Sequence, residues 1–174
     1  MRPFKTTFLI AGVMGAMPAY AALPNFAEHP VHPEEIFKET PRPVDLSSYP
    51  GAKTFRTKLK EGAERGPNFA GHYTIVTYGC GTQCQDNWII DAKTGKILDR
   101  FSSILSTKYQ SDSLLIIINP PDPDLKRGYE NDPNAPFWSA IQTTYNIWKD
   151  NKFSVIYKDK WVNLIESYTS STTD

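Results

Sequence analysis

The stretch HYTIVTYGCGTQCQDNWIID, residues 72–91, decides the fold. Its two runs HYTIVTYG and QDNWIID are rich in β-branched and aromatic residues, as strands are. The short connection GTQ between them predicts a tight hairpin. AKTG, residues 92–95, then predicts a turn before KILDRF. Together these signals predict a three-stranded antiparallel meander.

Further strands are predicted toward the C-terminus. DSLLIIIN, residues 112–119, is a continuous apolar run of the length of a strand buried on both faces. TTYNIWKDNKFSVIYKD, residues 143–159, predicts two alternating strands joined through Asp150 and Asn151. WVNLIES, residues 161–167, predicts one more strand.

The segment GAKTFRTKLKEGAERGPN, residues 51–68, carries the helical signal. Phe55, Leu59 and Ala63 recur every four residues, and a Gly-Pro pair ends the pattern. A short amphipathic helix follows from this spacing, although Phe55, Thr57 and Leu59 also alternate as in an edge strand. The sequence therefore predicts an α+β fold, mainly an antiparallel meander or sheet with one short N-terminal helix.

The N-terminus resembles an export signal. MRPFK carries two positive charges, the following apolar run is about a dozen residues long, and AYA offers small residues for cleavage after Ala21. An uncleaved anchor is the alternative, but a membrane span needs about 20 apolar residues. We therefore predict a signal peptide over residues 1–21 and no membrane anchor after cleavage. The predicted location is periplasmic or secreted.

The rest of the chain divides by composition. Residues 22–50 are rich in proline and predict an extended arm, with one helical turn over residues 33–38. Residues 51–168 predict a single β-rich globular domain, and residues 169–174 a polar tail. The chain has 19 basic and 19 acidic residues, and loss of Arg2 and Lys5 with the signal leaves a charge of about −2. Nothing in this balance indicates a nucleic-acid partner.

The two cysteines in CGTQC predict a structural disulfide between Cys80 and Cys84. An exported chain is oxidised, and a hairpin-like turn supplies the Cα spacing that a disulfide needs. Redox motifs have two intervening residues rather than three. A catalytic dyad of Cys80 with His72 is excluded by distance, because eight strand residues span about 27 Å. The same distance excludes a zinc site that uses His72 with both cysteines.

His72 has a second potential partner. Counting back from the hairpin turn places His72 opposite Asp91 and Ala92. A His72–Asp91 pair suits either an acid/base couple or a structural contact at the sheet end, and we favour the structural interpretation.

Two other groups of polar residues are weaker candidates for metal sites. His29 and His32 in HPVHP are predicted to be solvated, because no other ligand lies nearby. The predicted loop from Asn119 to Pro136 matches no EF-hand and is predicted to form solvated turns. Calcium is the alternative there, through its four carboxylates Asp122, Asp124, Glu130 and Asp132.

No nucleophile-elbow, zincin, P-loop or dinucleotide fingerprint occurs in the sequence. The motifs NFAGHY, then GCGTQC, then IDAKTG resemble a set of small exported bacterial proteins of uncharacterised activity that share NFAGHY, GCGTxC and VDAxTG. That resemblance covers about residues 56–98. It implies an exported β-rich domain and no catalytic residue.

These observations predict a non-enzymatic binding or inhibitor module that acts on an envelope or extracellular macromolecule. No metal or cofactor is expected, and the partner is an unidentified protein or cell-envelope component. The alternative is a hydrolase or transferase that uses His72 with Asp91, or a reactive Cys80. The residues that we predict to bind the partner are Asn68, His72, Tyr73, Thr82 and Gln83.

Overall fold

The computed structural model describes residues 22–122 and 135–164, with the side chains of residues 135 and 136 excepted, and its fold is mainly β. Two antiparallel sheets account for the strands. The first sheet contains, in spatial order, β1 (Tyr73–Gly81), β2 (Cys84–Asp91) and β3 (Ile97–Ser103). The second contains β4 (Thr107–Tyr109), β5 (Leu115–Ile118), β6 (Gln142–Lys149) and β7 (Lys152–Lys160). The predicted meander and the later hairpin are both confirmed.

The helical interpretation of residues 51–68 is confirmed over the edge strand. Helix α1 spans Arg56–Ala63 and follows a 3-10 turn at Ala52–Phe55. Its residues Leu59 and Ala63 are buried against the first sheet. The helix precedes all the strands but follows the whole proline-rich arm, so it is not clearly N-terminal in the chain. A second helix that was not predicted, α2, spans Ala135–Ala140.

The core has three layers. Ile75 and Ile89 of the first sheet pack against Ile116 and Trp148 of the second. On its other face the first sheet packs Trp88 and neighbouring apolar residues against α1. The second sheet is also covered on its far face, because the buried side chains of β5 there contact the arm and the C-terminal turn. Within the predicted segment 112–119, a strand covered on both faces is confirmed over the shorter range Leu115–Ile118.

The proline-rich arm, residues 22–50, contacts the rest of the domain through short turns and isolated bridges. It forms 3-10 turns at Phe26–Glu28 and Pro33–Glu35, and isolated bridges join Pro30 to Ser113 and Asp45 to Lys96. Gly95 has a φ of 76°, and a β-carbon there would collide with the backbone carbonyl of Pro43. The turn AKTG therefore needs glycine for both its conformation and the close passage of the arm.

Two predictions about local structure need correction. Residues 161–164 form a helical turn rather than the predicted strand. The turn packs Trp161 and Val162 against Ile141, and Leu164 against Leu115, so the surrounding core decides its conformation. Strand β4 was also missed. Among the described residues, no helix is long and apolar enough to cross a membrane.

Candidate functional site

Strand β1 lies at the edge of the first sheet, with β2 as its neighbour on one side. In an antiparallel ladder, alternate residues direct their backbone N–H and C=O groups away from the neighbouring strand. In β1 these are Tyr73, Ile75, Thr77 and Gly79, because the first two are hydrogen-bonded on the outer side. The outer edge of β1 therefore carries a row of backbone donors and acceptors.

The first half of this edge is closed by the segment before β1. Tyr73 exchanges backbone hydrogen bonds with Phe69, at 3.0 Å in both directions. The side-chain amide of Asn68 accepts a hydrogen bond from Ile75 N at 2.7 Å and donates one to Ile75 O at 3.0 Å. The side-chain amide of Asn68 thus makes the two hydrogen bonds that the backbone of a neighbouring strand would make.

The second half of the edge is open. The outward N–H and C=O groups of Thr77 and Gly79 make no hydrogen bond to any described residue. Gly79 does not have a positive φ, and a β-carbon built on it would meet nothing within 4 Å. Neither conformation nor packing in this structure requires glycine at 79. Glycine in a strand often marks a place where another backbone approaches closely.

The other edge strands carry features that discourage pairing. β3 has Asp99 and Arg100, and β4 has Lys108. β7 has lysines along its length and a bulge opposite Tyr145 and Asn146. Charges and bulges of this kind protect sheet edges from association. The segment of β1 from Thr77 to Gly81 contains no charged residue and no proline.

A groove runs along the open edge. Its first part, about 300 Å³, is bounded by α1, by β1 and by Tyr109 of β4. A more open cleft of about 500 Å³ continues it toward the β1–β2 turn, with Ile104 and Leu105 on the opposite wall. Thr77 and Tyr78 line both parts. The groove therefore follows the open edge as far as the disulfide.

Helix α1 lies close to this edge because of Gly62. A β-carbon on Gly62 would lie 2.5 and 2.6 Å from the two methyl carbons of Val76. This contact places one side of the helix along the groove. Lys58, Glu61 and Arg65 line that side, and all three are exposed.

The predicted disulfide between Cys80 and Cys84 is confirmed, with a Cα–Cα distance of 5.2 Å. Residues 79–83 are all exposed, and Gln83 turns the chain with a φ of 53°. The turn thus protrudes from the sheet, and the disulfide joins its two ends. Both cysteines are in the bond, so no free thiol is present for the predicted alternative of a reactive Cys80.

An ion pair between the buried carboxylate of Asp86 and the exposed side chain of Arg100 holds Tyr78, which lines the groove. Arg100 donates to both carboxylate oxygens of Asp86, with distances from 2.7 to 3.1 Å. The Tyr78 hydroxyl donates to Asp86 at 2.8 Å and accepts from Trp88 Nε1 at 2.9 Å. Burial would raise the pKa of Asp86, but these hydrogen bonds hold it below its ordinary value. Burial and the bond to Asp86 raise the pKa of Tyr78 to about 12.

The predicted juxtaposition of His72 with Asp91 and Ala92 is also confirmed. Asp91 pairs with Tyr73, Ala92 N donates to His72 O at 2.9 Å, and His72 Nε2 lies 4.0 Å from Asp91 Oδ1. Both carboxylate oxygens of Asp91 already accept hydrogen bonds within the turn, from Lys93 N and Thr94 Oγ1. This geometry fits a carboxylate that fixes the turn.

The environment of His72 favours the neutral form of its ring. Burial, and then the charge of Lys93, lower the pKa of His72, and the carboxylates of Asp91 and Glu35 oppose this only in part. The His72 ring packs on Tyr73 with centroids 4.0 Å apart. Its Nδ1 is buried and makes no hydrogen bond to any described atom. A half-buried imidazole with a lowered pKa, beside a carboxylate whose oxygens already accept hydrogen bonds, forms a structural contact more than an acid/base couple.

The structure separates the predicted binding residues into two groups. Asn68 and Gln83 line the groove, and Thr82 is exposed on the turn beside it. His72 and Tyr73 lie at the opposite end of β1, where the Tyr73 hydroxyl bonds to Asn151. Further residues line the groove and were not predicted from the sequence, among them Lys58, Arg65, Thr77, Tyr78 and Gly79.

No metal site forms within residues 22–122 and 135–164, where no three His, Cys, Asp or Glu side chains come together. Three of the four residues considered for calcium, Asp124, Glu130 and Asp132, lie outside the described residues. The fourth, Asp122, lies within them.

No protein-family model, curated protein or solved structure matches this chain. The resemblance of residues 56–98 to small exported bacterial proteins therefore stays a prediction.

Proposed function

We propose that this protein is a non-enzymatic binding module that acts outside the cytoplasm and receives an extended segment of an envelope or extracellular protein. The segment adds to the first sheet along the open edge of β1, from Thr77 to Gly81. In this mode of recognition, backbone hydrogen bonds supply affinity and the neighbouring surfaces supply specificity.

One observation carries the proposal. Thr77 and Gly79 present N–H and C=O groups that no described residue pairs, on an uncharged strand edge that opens into a groove. An added strand would satisfy these groups, and the absence of a side chain at Gly79 lets its backbone approach. The Cys80–Cys84 disulfide supports the proposed oxidising location and holds the end of the groove in one conformation before the partner arrives.

Peptide display provides the test. Random peptides of about ten residues, the upper range of a strand, are selected on the full chain with its disulfide intact. Binding of the selected peptides is then measured for Gly79→Pro. Proline at 79 removes an outward N–H and leaves the β1–β2 ladder intact, because the Gly79 N–H points away from β2. We expect affinity to fall by about tenfold or more.

Ser102→Pro is the matched control. Ser102 is exposed, and its N–H also points away from β2, but it lies on β3 at the far edge of the same sheet. We expect this variant to bind as the wild type does. If the two variants have equal free energies of unfolding, the loss of peptide affinity in Gly79→Pro is due to the edge of β1 and not to a weaker fold. Selected peptides that bind Gly79→Pro as tightly as the wild type contradict the proposal.

A further inference from the structure

All charged residues that line the groove belong to α1 or to the turn that follows it. The charged residues that line the two parts of the groove are Lys58, Glu61 and Arg65. Two cations and one anion give this wall a net positive charge. The opposite wall, with Tyr109, Ile104 and Leu105, is uncharged.

The two cations have no anionic partner in this structure. Among the described residues, neither Lys58 nor Arg65 forms an ion pair, although Glu61 lies on the same side of the helix. Lys58 Nζ instead lies 5.3 Å from the centroid of the Tyr78 ring, directly beside the open edge. Both cations are exposed and therefore accessible to a partner.

The side chains of an added strand would alternate between the two walls. In a strand, successive side chains point to opposite faces of the sheet. Every second residue of the partner would thus face α1, and the residues between would face the uncharged wall. Complementary charges across an interface select partners more than they add affinity.

We infer that the partner segment carries acidic side chains at the alternate positions that face α1, and that Lys58 and Arg65 select them. This inference rests on the proposed function, because it assigns the chemistry of the segment that the open edge receives. Glu61 lies between the two cations in the sequence and lines the same part of the groove, so it disfavours an unbroken run of acidic residues. The expected motif is an extended segment with acidic residues on one face.

A charge reversal tests the inference. The same random-peptide library is selected on the wild type, on the double variant Lys58→Glu/Arg65→Glu and on the double variant Lys53→Glu/Arg56→Glu. Lys53 and Arg56 are exposed near the start of α1 and do not line the groove, so the second variant has the same net charge and serves as the control. The readout is the ratio of Asp and Glu to Lys and Arg in the selected peptides.

For the wild type and for the control, we expect this ratio to be about threefold to tenfold higher than in the unselected library. Two exposed ion pairs contribute enough free energy for a change of this size. The ratio should reverse for Lys58→Glu/Arg65→Glu. Higher salt should weaken the preference, since these charges are exposed. An unchanged ratio for Lys58→Glu/Arg65→Glu, with binding still weakened about tenfold or more by Gly79→Pro, overturns the inference alone. Binding that survives Gly79→Pro overturns the proposed function as well.

Discussion

Asn68 pairs with Ile75 as a neighbouring strand would, with its amide accepting from Ile75 N at 2.7 Å and donating to Ile75 O at 3.0 Å. Ile75 is the last residue of β1 whose outward backbone groups are paired by the segment before the strand. Two residues further along, Thr77 has no such partner among the described residues. The open edge therefore begins at a defined position and extends over a few residues, which suits one short extended segment.

Asn68→Ala should destabilise the fold. The half-buried amide of Asn68 satisfies both backbone groups of Ile75, and its loss leaves a buried donor and acceptor without partners. We expect the free energy of unfolding to fall by about 1–3 kcal/mol, measured by urea denaturation. Gln110→Ala removes an exposed amide that makes no side-chain hydrogen bond with described residues, and serves as the control. Equal effects of the two substitutions would contradict the assigned role of Asn68.

Asp86→Asn should lower stability in a way that depends on pH. The Asp86 side chain is only 2% exposed and accepts hydrogen bonds from Arg100, Tyr78 and Trp88. Because solvent screens the exposed Arg100, loss of the carboxylate charge should cost less than in a fully buried pair, about 1–3 kcal/mol at neutral pH. Because the pKa of Asp86 is lowered in the folded state, its contribution is complete above the ordinary carboxyl pKa and is lost as the pH falls through the lowered value.

Urea denaturation of the wild type and of Asp86→Asn between pH 7 and about pH 2 measures this contribution. The difference in free energy of unfolding between the two proteins should shrink steadily as the solution becomes more acidic than the ordinary carboxyl range. A difference that stays constant across the whole series would show that the Asp86 carboxylate does not carry the effect.

Gly62→Ala should be destabilising even though alanine favours helices by about 1 kcal/mol. The new β-carbon would meet the methyl carbons of Val76, whose β-branched side chain cannot turn away. We expect a loss of about 1–3 kcal/mol. Val76→Ala makes room for the β-carbon, so Gly62→Ala should cost less in that background. A double-mutant cycle with no coupling energy would mean that Gly62 does not set the position of α1.

Replacement of both cysteines by serine should loosen the turn and spare the core. The turn is exposed, and closure of so short a loop contributes about 2 kcal/mol or less. The tryptophan bands of the near-ultraviolet circular dichroism spectrum should be retained, because Trp88 and Trp148 are buried in the core. Peptide affinity should fall, since Cys84 and Gln83 line the end of the groove. Wild-type affinity in the double-serine variant would exclude the turn from the site.

Much of the fold follows from local patterns. Alternating β-branched and aromatic residues define the meander, and Asp150 with Asn151 adopts the positive φ values, 52° and 57°, of a tight hairpin turn. The register that places His72 opposite Ala92 follows from counting back from the disulfide turn. These features depend on neighbours in the sequence, so they could be predicted.

The errors arise where the pattern is short or ambiguous. The apolar residues Trp161, Val162 and Leu164 fit a buried strand and a buried helical turn equally well, and only the surrounding core decides between them. Strand β4 has three residues, too few for a period to show.

The site was largely missed because an open edge depends on the arrangement of the sheets. Whether β1 has one neighbour or two is decided by the second sheet, which comes later in the chain. Lys58 and Arg65 reach the groove only because α1 packs across β1. Only Gly79 could have indicated the site from the sequence. Glycine weakens a strand, and one within a strand pattern often marks a place where another backbone approaches closely.

Amide hydrogen exchange at Thr77 and Gly79 tests the central claim most directly, and it needs no substitution. In the free protein these two amides should exchange quickly, whereas those of Val76 and Tyr78, which point toward β2, should be protected. On addition of a display-selected peptide, we expect Thr77 and Gly79 to become protected while Val76 and Tyr78 stay as they were. Peptide binding that leaves the exchange of Thr77 and Gly79 unchanged would contradict docking on the edge of β1.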